Sequence, residues 1–251
     1  MDRIRAGEPA LGLVVRSQRS GEVAMIAANS GHDFLFLDLQ HGTMGFDDAA
    51  RIAHVAIGVG VAPLVRVATR DDASASRHLD GGALGIIFPD IDTADQARHA
   101  MELCRFAPLG KRSVSSGYPS LGYKAVDTPT AVAALEASML VVCMIETRAG
   151  LANVDAIAAV EGVDVVHIGC NDMLNDMGKS GQYGDPEIVA AIDKLIAACA
   201  KHNKVAGVGG ERDAERQREW VAKGVRFITT GSDIAYMTSA ASARTKAIRA
   251  A

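Results

Sequence analysis

Two carboxylates, Glu146 and Asp172, each stand at the end of a short apolar run, where two carboxylate oxygens can meet on one cation. Proteins usually hold Mg2+ or Mn2+ with oxygen ligands and leave positions open for water and substrate. The segment 169–171, just before Asp172, is a turn of small residues whose backbone N–H groups can contact a substrate carboxylate. We therefore predict a divalent cation site. The alternatives are that Glu146 pairs with Arg148 or a helix terminus, and that Asp172 only caps a helix.

Three further side chains suit proton transfer and anion binding. His41 follows another apolar run, with Asp38 and Gln40 beside it, and histidine is a suitable general base near neutral pH. The alternative is an ordinary surface histidine. Arg66 interrupts an apolar run, so its charge needs an anion, which is either a substrate oxygen or Asp38. Asp80, which precedes the next apolar run, either orients His41 or caps a turn.

The elements that position these residues alternate along the chain, an apolar run followed by a stretch with helical spacing. The eight predicted strands are Leu11–Val15, Phe34–Asp38, Pro63–Val67, Leu84–Pro89, Met139–Ile145, Val163–Gly169, Lys204–Val208 and Phe227–Gly231. The predicted helices lie near 20–29, 46–58, 72–80, 93–104, 128–136, 149–160, 186–202, 213–223 and 234–249. Eight even repeats predict a single α/β domain over 1–251, a (β/α)8 TIM barrel, rather than an open doubly wound sheet.

In such a barrel the site forms at the carboxyl ends of the strands, which is where most of these polar residues stand. His167 lies inside a predicted strand, and we interpret it as a core residue. The long connection from Phe106 to Asp127 is rich in Gly, Ser and Pro, and a loop of that length predicts a functional role over the site.

Composition excludes several classes of protein. The chain has 251 residues, a net charge of −4 and a hydrophobic content of 49%, which argues against disorder and against a nucleic-acid partner. The four cysteines show no CxxC spacing, so neither a zinc knot nor a redox pair is indicated. No apolar run has the length of a signal peptide or a membrane helix, and we expect a cytoplasmic protein.

Taken together, the motifs resemble the HpcH/HpaI aldolases, the class II pyruvate aldolases of the phosphoenolpyruvate-binding barrels. The similarity covers nearly the whole chain. It is strongest in the segments Phe34–Gly42, Val65–Val67, Leu79–Ala83, Phe106–Arg112, Met144–Thr147 and Ile168–Asp172.

The resemblance implies reversible cleavage of a 4-hydroxy-2-oxoacid into pyruvate and an aldehyde through a metal-bound enolate. It implies that Glu146 and Asp172 ligate Mg2+, Mn2+ or Co2+. It also implies that His41, paired with Asp80, moves protons, and that Arg66 stabilises the enolate. The residues assigned to substrate binding are Gly169, Cys170, Asn171 and Gln40. A homo-oligomer, trimer or hexamer, is expected, with the helix at 234–249 exchanged between subunits.

The chain departs from the family pattern at three places. Gln40 stands where many members have Glu, Met144 where many have Gln, and Cys170-Asn171 replaces the usual Pro-Ser or Pro-Ala. Three other functions are weighed against the aldolase. They are a lyase of the citrate-lyase β or malyl-CoA type, a phosphoenolpyruvate mutase-like or decarboxylating enzyme, and a catalytically silent oligomeric binding protein.

Overall fold

The computed structural model describes residues 2–250 and contains eight parallel strands that close into a barrel in sequence order. The strands are β1 (Ala10–Val15), β2 (Phe34–Asp38), β3 (Ala62–Arg66), β4 (Gly85–Phe88), β5 (Leu140–Ile145), β6 (Val165–Gly169), β7 (Val205–Gly209) and β8 (Phe227–Ser232). The predicted (β/α)8 barrel is therefore confirmed, and the open sheet is wrong.

Helices connect successive strands. They are α1 (Asp2–Arg5), α2 (Glu22–Asn29), α3 (Phe46–Gly58), α4 (Ala75–Asp80), α5 (Ala94–Cys104), α6 (Thr128–Ser138), α7 (Arg148–Ala152), α8 (Val154–Ala158), α9 (Cys170–Asp176), α10 (Pro186–Lys201), α11 (Ala214–Lys223) and α12 (Asp233–Arg249). The predicted helix near 149–160 is divided at Asn153 into α7 and α8. The sequence reading missed α1 and α9.

The barrel interior is filled by alternate residues of the strands, as the two-residue period of a strand requires. Apolar side chains from six strands form this inner cluster: Phe34, Phe36, Leu64, Ile87, Leu140, Val142, Met144, Val165 and Phe227. The rings of Phe34 and Phe227 stack with centroids 4.2 Å apart. A larger cluster between the strands and the surrounding helices forms the outer core.

Strand register brings the predicted site residues to one end. Asp38 on β2 pairs directly with Arg66 on β3, so the last residues of both strands are neighbours. Met144 on β5 is opposite His167 on β6, and Gly169 is opposite Gly209 on β7. The carboxyl ends of the strands therefore form one polar rim.

The last helix, α12, makes little contact with the barrel. Among its described residues only Asp233 is buried, whereas Ile234, Tyr236, Met237 and Ile248 are exposed. The exchange of this helix between subunits, the oligomeric state and the single-domain boundaries stay predictions. Within residues 2–250, no helix combines the length and apolar character needed to span a bilayer.

A glycine in β1 leaves room for the stacked pair of aromatic rings. A Cβ at Gly12 would lie 2.2 Å from the ring of Phe34, which Phe227 prevents from moving away. We expect Gly12→Ala to lower the free energy of unfolding by about 1–3 kcal/mol, because the substitution overpacks the barrel interior. Urea denaturation measures this. Gly58→Ala, at the end of α3 with nothing within 4 Å of the added Cβ, is the control and should not destabilise. Equal stability of the two variants would contradict the packing argument.

Candidate active site

A pocket of about 260 Å³ opens at the carboxyl ends of the strands. Its charged and polar lining residues are Arg16, His41, Arg66, Glu146, His167, Asn171, Asp172, Glu211, Arg212, Thr229 and Ser232. Glycines line it from three neighbouring strands and the loop after β7: Gly169, Gly209, Gly210 and Gly231. Five of the nine residues predicted for the site (His41, Arg66, Glu146, Asn171 and Asp172) contribute side chains here. Gly169 and Cys170 also line the pocket, whereas Gln40 and Asp80 do not.

Arg66 is buried and is fixed by Asp38. Its Nε donates to Asp38 Oδ1 at 2.9 Å and its Nη2 donates to Oδ2 at 2.7 Å. The remaining nitrogen, Nη1, lies 4.0 Å from the sulfur of Met144, and Arg66 lines the pocket. The predicted pairing of Arg66 with Asp38 is therefore confirmed, and its contact with a substrate oxygen stays a prediction.

Asp38 is fully buried and accepts three further hydrogen bonds. Arg16 Nε donates to Oδ2 at 2.7 Å, and the backbone N–H groups of Gln40 and His41 each donate to Oδ1 at 3.2 Å. Burial alone would raise the pKa of Asp38, but the hydrogen bonds and charge of Arg66, with those of His41 and Arg16, hold that pKa below its usual range. Asp38 is therefore ionised, and it ties β2 to both neighbouring strands.

Glu146 is only 3% exposed and lies just beyond the end of β5. Its Oε2 accepts the backbone N–H of Asp90 at 3.0 Å. Burial raises the pKa of Glu146 to about 7, opposed by that hydrogen bond and by the charge of Arg66, while the charges of Asp90 and Asp172 add to the rise. Asp172 itself is exposed, and the repulsion between its charge and that of the buried Glu146 favours a cation between them.

Two of the competing interpretations of these carboxylates, the pairing of Glu146 with Arg148 and Asp172 as an N-cap, are wrong. The third, Glu146 at a helix terminus, stays an alternative, because Glu146 lies beside Gly169, the N-cap of α9. Arg148 bonds to Glu187 at 2.7 Å and to Asp176, and not to Glu146. Asp172 lies in the first turn of α9, whose N-cap is Gly169. Within residues 2–250, neither Glu146 nor Asp172 forms an ion pair, and no group of three or more His, Cys, Asp and Glu is arranged to hold a metal. A cation held by these two carboxylates would need water and substrate to complete its coordination shell. Such a ligand set is typical of an open catalytic metal site.

The segment 169–172 is a strand-to-helix junction, so the expectation of an isolated turn is wrong. β6 ends at Gly169 and α9 begins at Cys170. The missed signal is the spacing of Met173, Leu174 and Met177, which are all buried on one side of the helix. Cys170 is fully buried, and burial raises the pKa of its thiol, so it is not a thiolate. The Oδ1 of Asn171 accepts the hydroxyl of Tyr183 at 2.5 Å.

His41 is exposed at the rim of the pocket, in the loop that Asp38 anchors. The neighbouring Gln40 is half-buried, and its Oε1 is buried without a hydrogen-bond partner within the described part of the chain. Gln40 does not line the pocket, so its predicted role in substrate binding has no support within one chain.

Asp80 and the long loop lie at the other end of the barrel. Asp80 ends α4 just ahead of β4, and its Oδ1 accepts from Arg112 Nη2 at 2.8 Å. Just before this loop, Arg105 at the end of α5 bonds to Asp164, which precedes β6, at 2.6 Å. The expectations that Asp80 orients His41 and that residues 106–127 cover the site are therefore wrong within one chain. The physical reason is that a connection leaving the end of a helix returns to the amino ends of the strands.

His167 is a pocket residue that the sequence reading assigned to the core. It is 1% exposed, lies on the pocket floor and has a ring edge-on to Phe227. The glycines at 207 and 209 of β7 make room for it, because a Cβ there would lie 2.7 Å from Nδ1 and 2.8 Å from Nε2 respectively. Nδ1 has no hydrogen-bond partner among residues 2–250. The sequence did contain a signal for this. His167 on β6 pairs with Gly207 on β7, the first glycine of a Gly-x-Gly segment.

A parallel barrel with two carboxylates, a fixed arginine and a rim histidine at one end forms a candidate active site. Comparison with known proteins identifies the class of enzyme. The family model described as HpcH/HpaI aldolase/citrate lyase matches residues 13–240. The chain is 37% identical to a 4-hydroxy-4-methyl-2-oxoglutarate aldolase of Chaetomium globosum over 246 residues, 96% of this chain and 91% of that protein.

Two further comparisons support the same assignment. A 5-keto-4-deoxy-D-glucarate aldolase of Klebsiella pneumoniae is 33% identical over 84% of this chain and 81% of its own. The crystal structure of an HpcH/HpaI aldolase from Desulfitobacterium hafniense superposes with a TM-score of 0.94 at 27% identity, covering 99% of this chain and 95% of that one. The chain belongs to the HpcH/HpaI aldolase family, as its motifs indicated, and it is a lyase that cleaves carbon–carbon bonds.

The buried imidazole generates a pH prediction. Burial, with the charge of Arg66, lowers the pKa of His167 to about 3, so His167 stays neutral in the folded protein while it titrates near 6.5 when unfolded. Acid therefore favours the unfolded state. Relative to His167→Gln, which cannot titrate, the wild type should lose about 2 kcal/mol of unfolding free energy between pH 8 and pH 5.

The measurement is urea denaturation of both proteins at the two pH values, and it compares only the change with pH. Steric effects of the substitution are the same at both pH values and cancel. A difference between the proteins that does not change with pH would show that His167 ionises freely in the fold.

Proposed function

We propose that this enzyme reversibly cleaves a 4-hydroxy-2-oxoacid into pyruvate and an aldehyde, with a divalent cation held by Glu146 and Asp172. The observation that carries the proposal is that the carboxylate of Glu146 has no ion-pair partner among the described residues of the pocket. Glu146 is buried beside Asp172 without a basic partner in residues 2–250, whereas the equally buried Asp38 has Arg66 and Arg16. The names of the aldolase relatives support the choice of substrate class.

The cation would be Mg2+, Mn2+ or Co2+, and it would supply Lewis-acid polarisation of the 2-oxo group. The carboxylate of the substrate would lie against the junction at 169–172, where the first N–H groups of α9 have no partner within the helix. Cys170 and Asn171 contribute backbone there. A Cβ at Gly169 would lie 2.6 Å from Glu146 Oε1, so the absence of a side chain at Gly169 leaves room for the Glu146 carboxylate beside this junction.

Arg66 would hold the 2-oxo oxygen. Because Asp38 takes two of its nitrogens, the guanidinium is held in place at the lining of the pocket. A fixed donor of this kind stabilises the negative charge that develops on the oxygen as the enolate forms. The thioether of Met144 beside it does not compete for that donor, since thioether sulfur is a weak acceptor.

His41 would move the protons. In cleavage it accepts the proton of the 4-hydroxyl group, directly or through a water molecule, while the electrons of the C3–C4 bond pass to the enolate. In the reverse direction it removes a proton from C3 of pyruvate. Its position at the exposed rim, on a loop held by Asp38, gives it access to both solvent and substrate.

The experiment that tests the proposal is exchange of the pyruvate methyl protons in D2O, followed by NMR. It needs no knowledge of the aldehyde. Exchange should occur with Mn2+ or Mg2+, stop with EDTA and return when metal is restored. Absence of exchange with every metal would remove pyruvate as the nucleophile and overturn the proposal.

Glu146→Gln tests the cation ligand directly. We expect the dissociation constant for Mn2+, measured by calorimetry without substrate, to rise about 100-fold or more, because one of two protein ligands is lost. Glu219→Gln on the exposed face of α11 removes the same charge outside the pocket and should bind Mn2+ like the wild type. Unchanged Mn2+ affinity of Glu146→Gln would show that the ligand assignment is wrong.

His41→Ala tests the proton carrier. We expect the rate of pyruvate proton exchange to fall by about 10²–10⁴-fold with Mn2+ affinity unchanged, because the histidine acts on protons and not on the cation. His99→Ala, an exposed histidine on α5, is the matched control. If exchange in His41→Ala proceeds at the wild-type rate, another base performs the step.

A further inference from the structure

A tyrosine outside the pocket is bonded to one of the residues that line it. Tyr183 lies in the loop between α9 and α10, and its hydroxyl donates to Oδ1 of Asn171 at 2.5 Å. Asn171 lines the pocket next to Asp172, whereas Tyr183 does not line it. The two residues are 12 positions apart in the chain. Their hydrogen bond therefore joins the pocket to a loop that has no part in the proposed function.

This bond determines which end of the Asn171 amide is left for a ligand. A carboxamide has an acceptor oxygen and a donor nitrogen. The oxygen is taken by Tyr183, and the nitrogen Nδ2 makes no hydrogen bond within residues 2–250. An amide that turned freely would also present its oxygen, and that oxygen repels a carboxylate. Tyr183 therefore favours the orientation in which Asn171 acts as a donor in the pocket.

A glycine confines Asn171 from another side. Gly210 follows β7 and has a φ of 96°. A Cβ at Gly210 would lie 3.2 Å from the backbone nitrogen of Asn171 and 3.3 Å from its Oδ1, closer than ordinary van der Waals contact. The loop after β7 can approach Asn171 this closely because residue 210 has no side chain. Asn171 is held between Gly210 and the Tyr183 hydroxyl, so its side chain has little freedom to turn.

The loop that carries Tyr183 is itself held in place. Lys179 Nζ lies 2.7 Å from Asp185 Oδ1 and 3.0 Å from Glu187 Oε2 at the start of α10. The backbone N–H of Gln182 donates to the carbonyl of Lys179 at 3.0 Å, and that of Asp185 donates to the carbonyl of Gln182 at 2.9 Å. The ring of Tyr183 packs against the outer core. Because the hydroxyl is in position before a ligand arrives, binding does not have to order it.

Tyr183 keeps its proton in the neutral pH range. Burial raises the pKa of its hydroxyl, and the charge of Arg212 opposes the rise without reversing it. The hydroxyl is therefore a donor under ordinary conditions, as a bond to an amide oxygen requires. A phenylalanine at this position would keep the ring and its packing and would lose only the donor.

We propose that Tyr183 is a positioning residue for substrate binding. Its hydroxyl holds the amide oxygen of Asn171, so that Nδ2 of Asn171 donates to the carboxylate of the bound 2-oxoacid. This inference rests on the proposed function, which brings that carboxylate to the junction at 169–172. Asn171 is then the binding residue, and Tyr183 acts only through it.

The test is a double-mutant cycle of Tyr183→Phe and Asn171→Ala. The readout is the dissociation constant for pyruvate, measured by calorimetry on the Mn2+-loaded enzyme without an aldehyde. Tyr236→Phe is the matched control, since it removes a tyrosine hydroxyl that donates to Thr230 at 2.8 Å, and neither of these residues lines the pocket.

We expect Asn171→Ala to raise the dissociation constant for pyruvate about 10- to 100-fold, because a hydrogen bond to a charged group is lost. Tyr183→Phe should raise it about 3- to 10-fold, because the amide remains but is free to turn. In the Asn171→Ala background, Tyr183→Phe should raise it no further. The Mn2+ affinity of Tyr183→Phe should equal that of the wild type, since neither cation ligand is changed. Tyr236→Phe should bind pyruvate like the wild type.

Two results would overturn the inference. One is an unchanged pyruvate affinity in Tyr183→Phe. The other is an equal loss from Tyr183→Phe in both backgrounds, which would show that the tyrosine supports the loop and does not act through Asn171. In either case the proposed function stands if the wild type exchanges the methyl protons of pyruvate with metal.

Proton exchange separates the two proposals in the other direction. If the cycle shows the expected coupling but the wild type exchanges no methyl protons with any metal, the proposed function is overturned, and the role of Tyr183 in 2-oxoacid binding stands. If the wild type neither exchanges these protons nor binds pyruvate with Mn2+, both proposals are overturned.

Discussion

The ion pair between Asp38 and Arg66 organises the pocket. Asp38 is completely buried and is bound by Arg66 on the next strand, by Arg16 beyond the previous one and by the N–H of His41 in its own loop. Removing one partner of such a pair leaves an unpaired buried charge, which is strongly destabilising. Because one carboxylate meets all of these groups, the positions of the rim histidine and the two arginines are not independent.

That arrangement also explains how two buried carboxylates at the same end of the barrel can differ in chemistry. Asp38 and Glu146 are both buried at the same end of the barrel, yet burial is outweighed at Asp38 by two guanidiniums, so its pKa falls. At Glu146 the nearest compensation is one backbone N–H and a more distant Arg66, and the pKa rises to about 7. The first carboxylate is structural because its charge is satisfied. The second is available to a cation because its charge is not.

Much of this could be predicted from the sequence. Eight apolar runs with polar residues at their ends located β2, β3, β5 and β6, and hence His41, Arg66, Glu146 and Asp172, because a barrel brings all carboxyl ends to one rim. Asp80 could not be placed in this way. It follows a helix rather than a strand, and the partner that it meets, Arg112, is 32 residues away in a loop whose path no periodicity determines.

The residues inside the barrel were harder still, because their environment depends on neighbouring strands. With ordinary side chains on β7, His167 would be a core residue. It is a pocket residue because Gly207 and Gly209 lie next to it. This fact concerns a contact between neighbouring strands, which a single sequence does not give.

The polarity of the pocket floor bears on where charge can bind. His167 is polar but neutral, since burial lowers its pKa to about 3, and the rest of the inner cluster is apolar. The floor therefore adds no net charge to the pocket, and the charged side chains lie at its rim. There the carboxylates follow β5 and β6, and the arginines lie on β3 and after β7 and β1. A charged group of a ligand in this pocket therefore meets its charged partners at the rim.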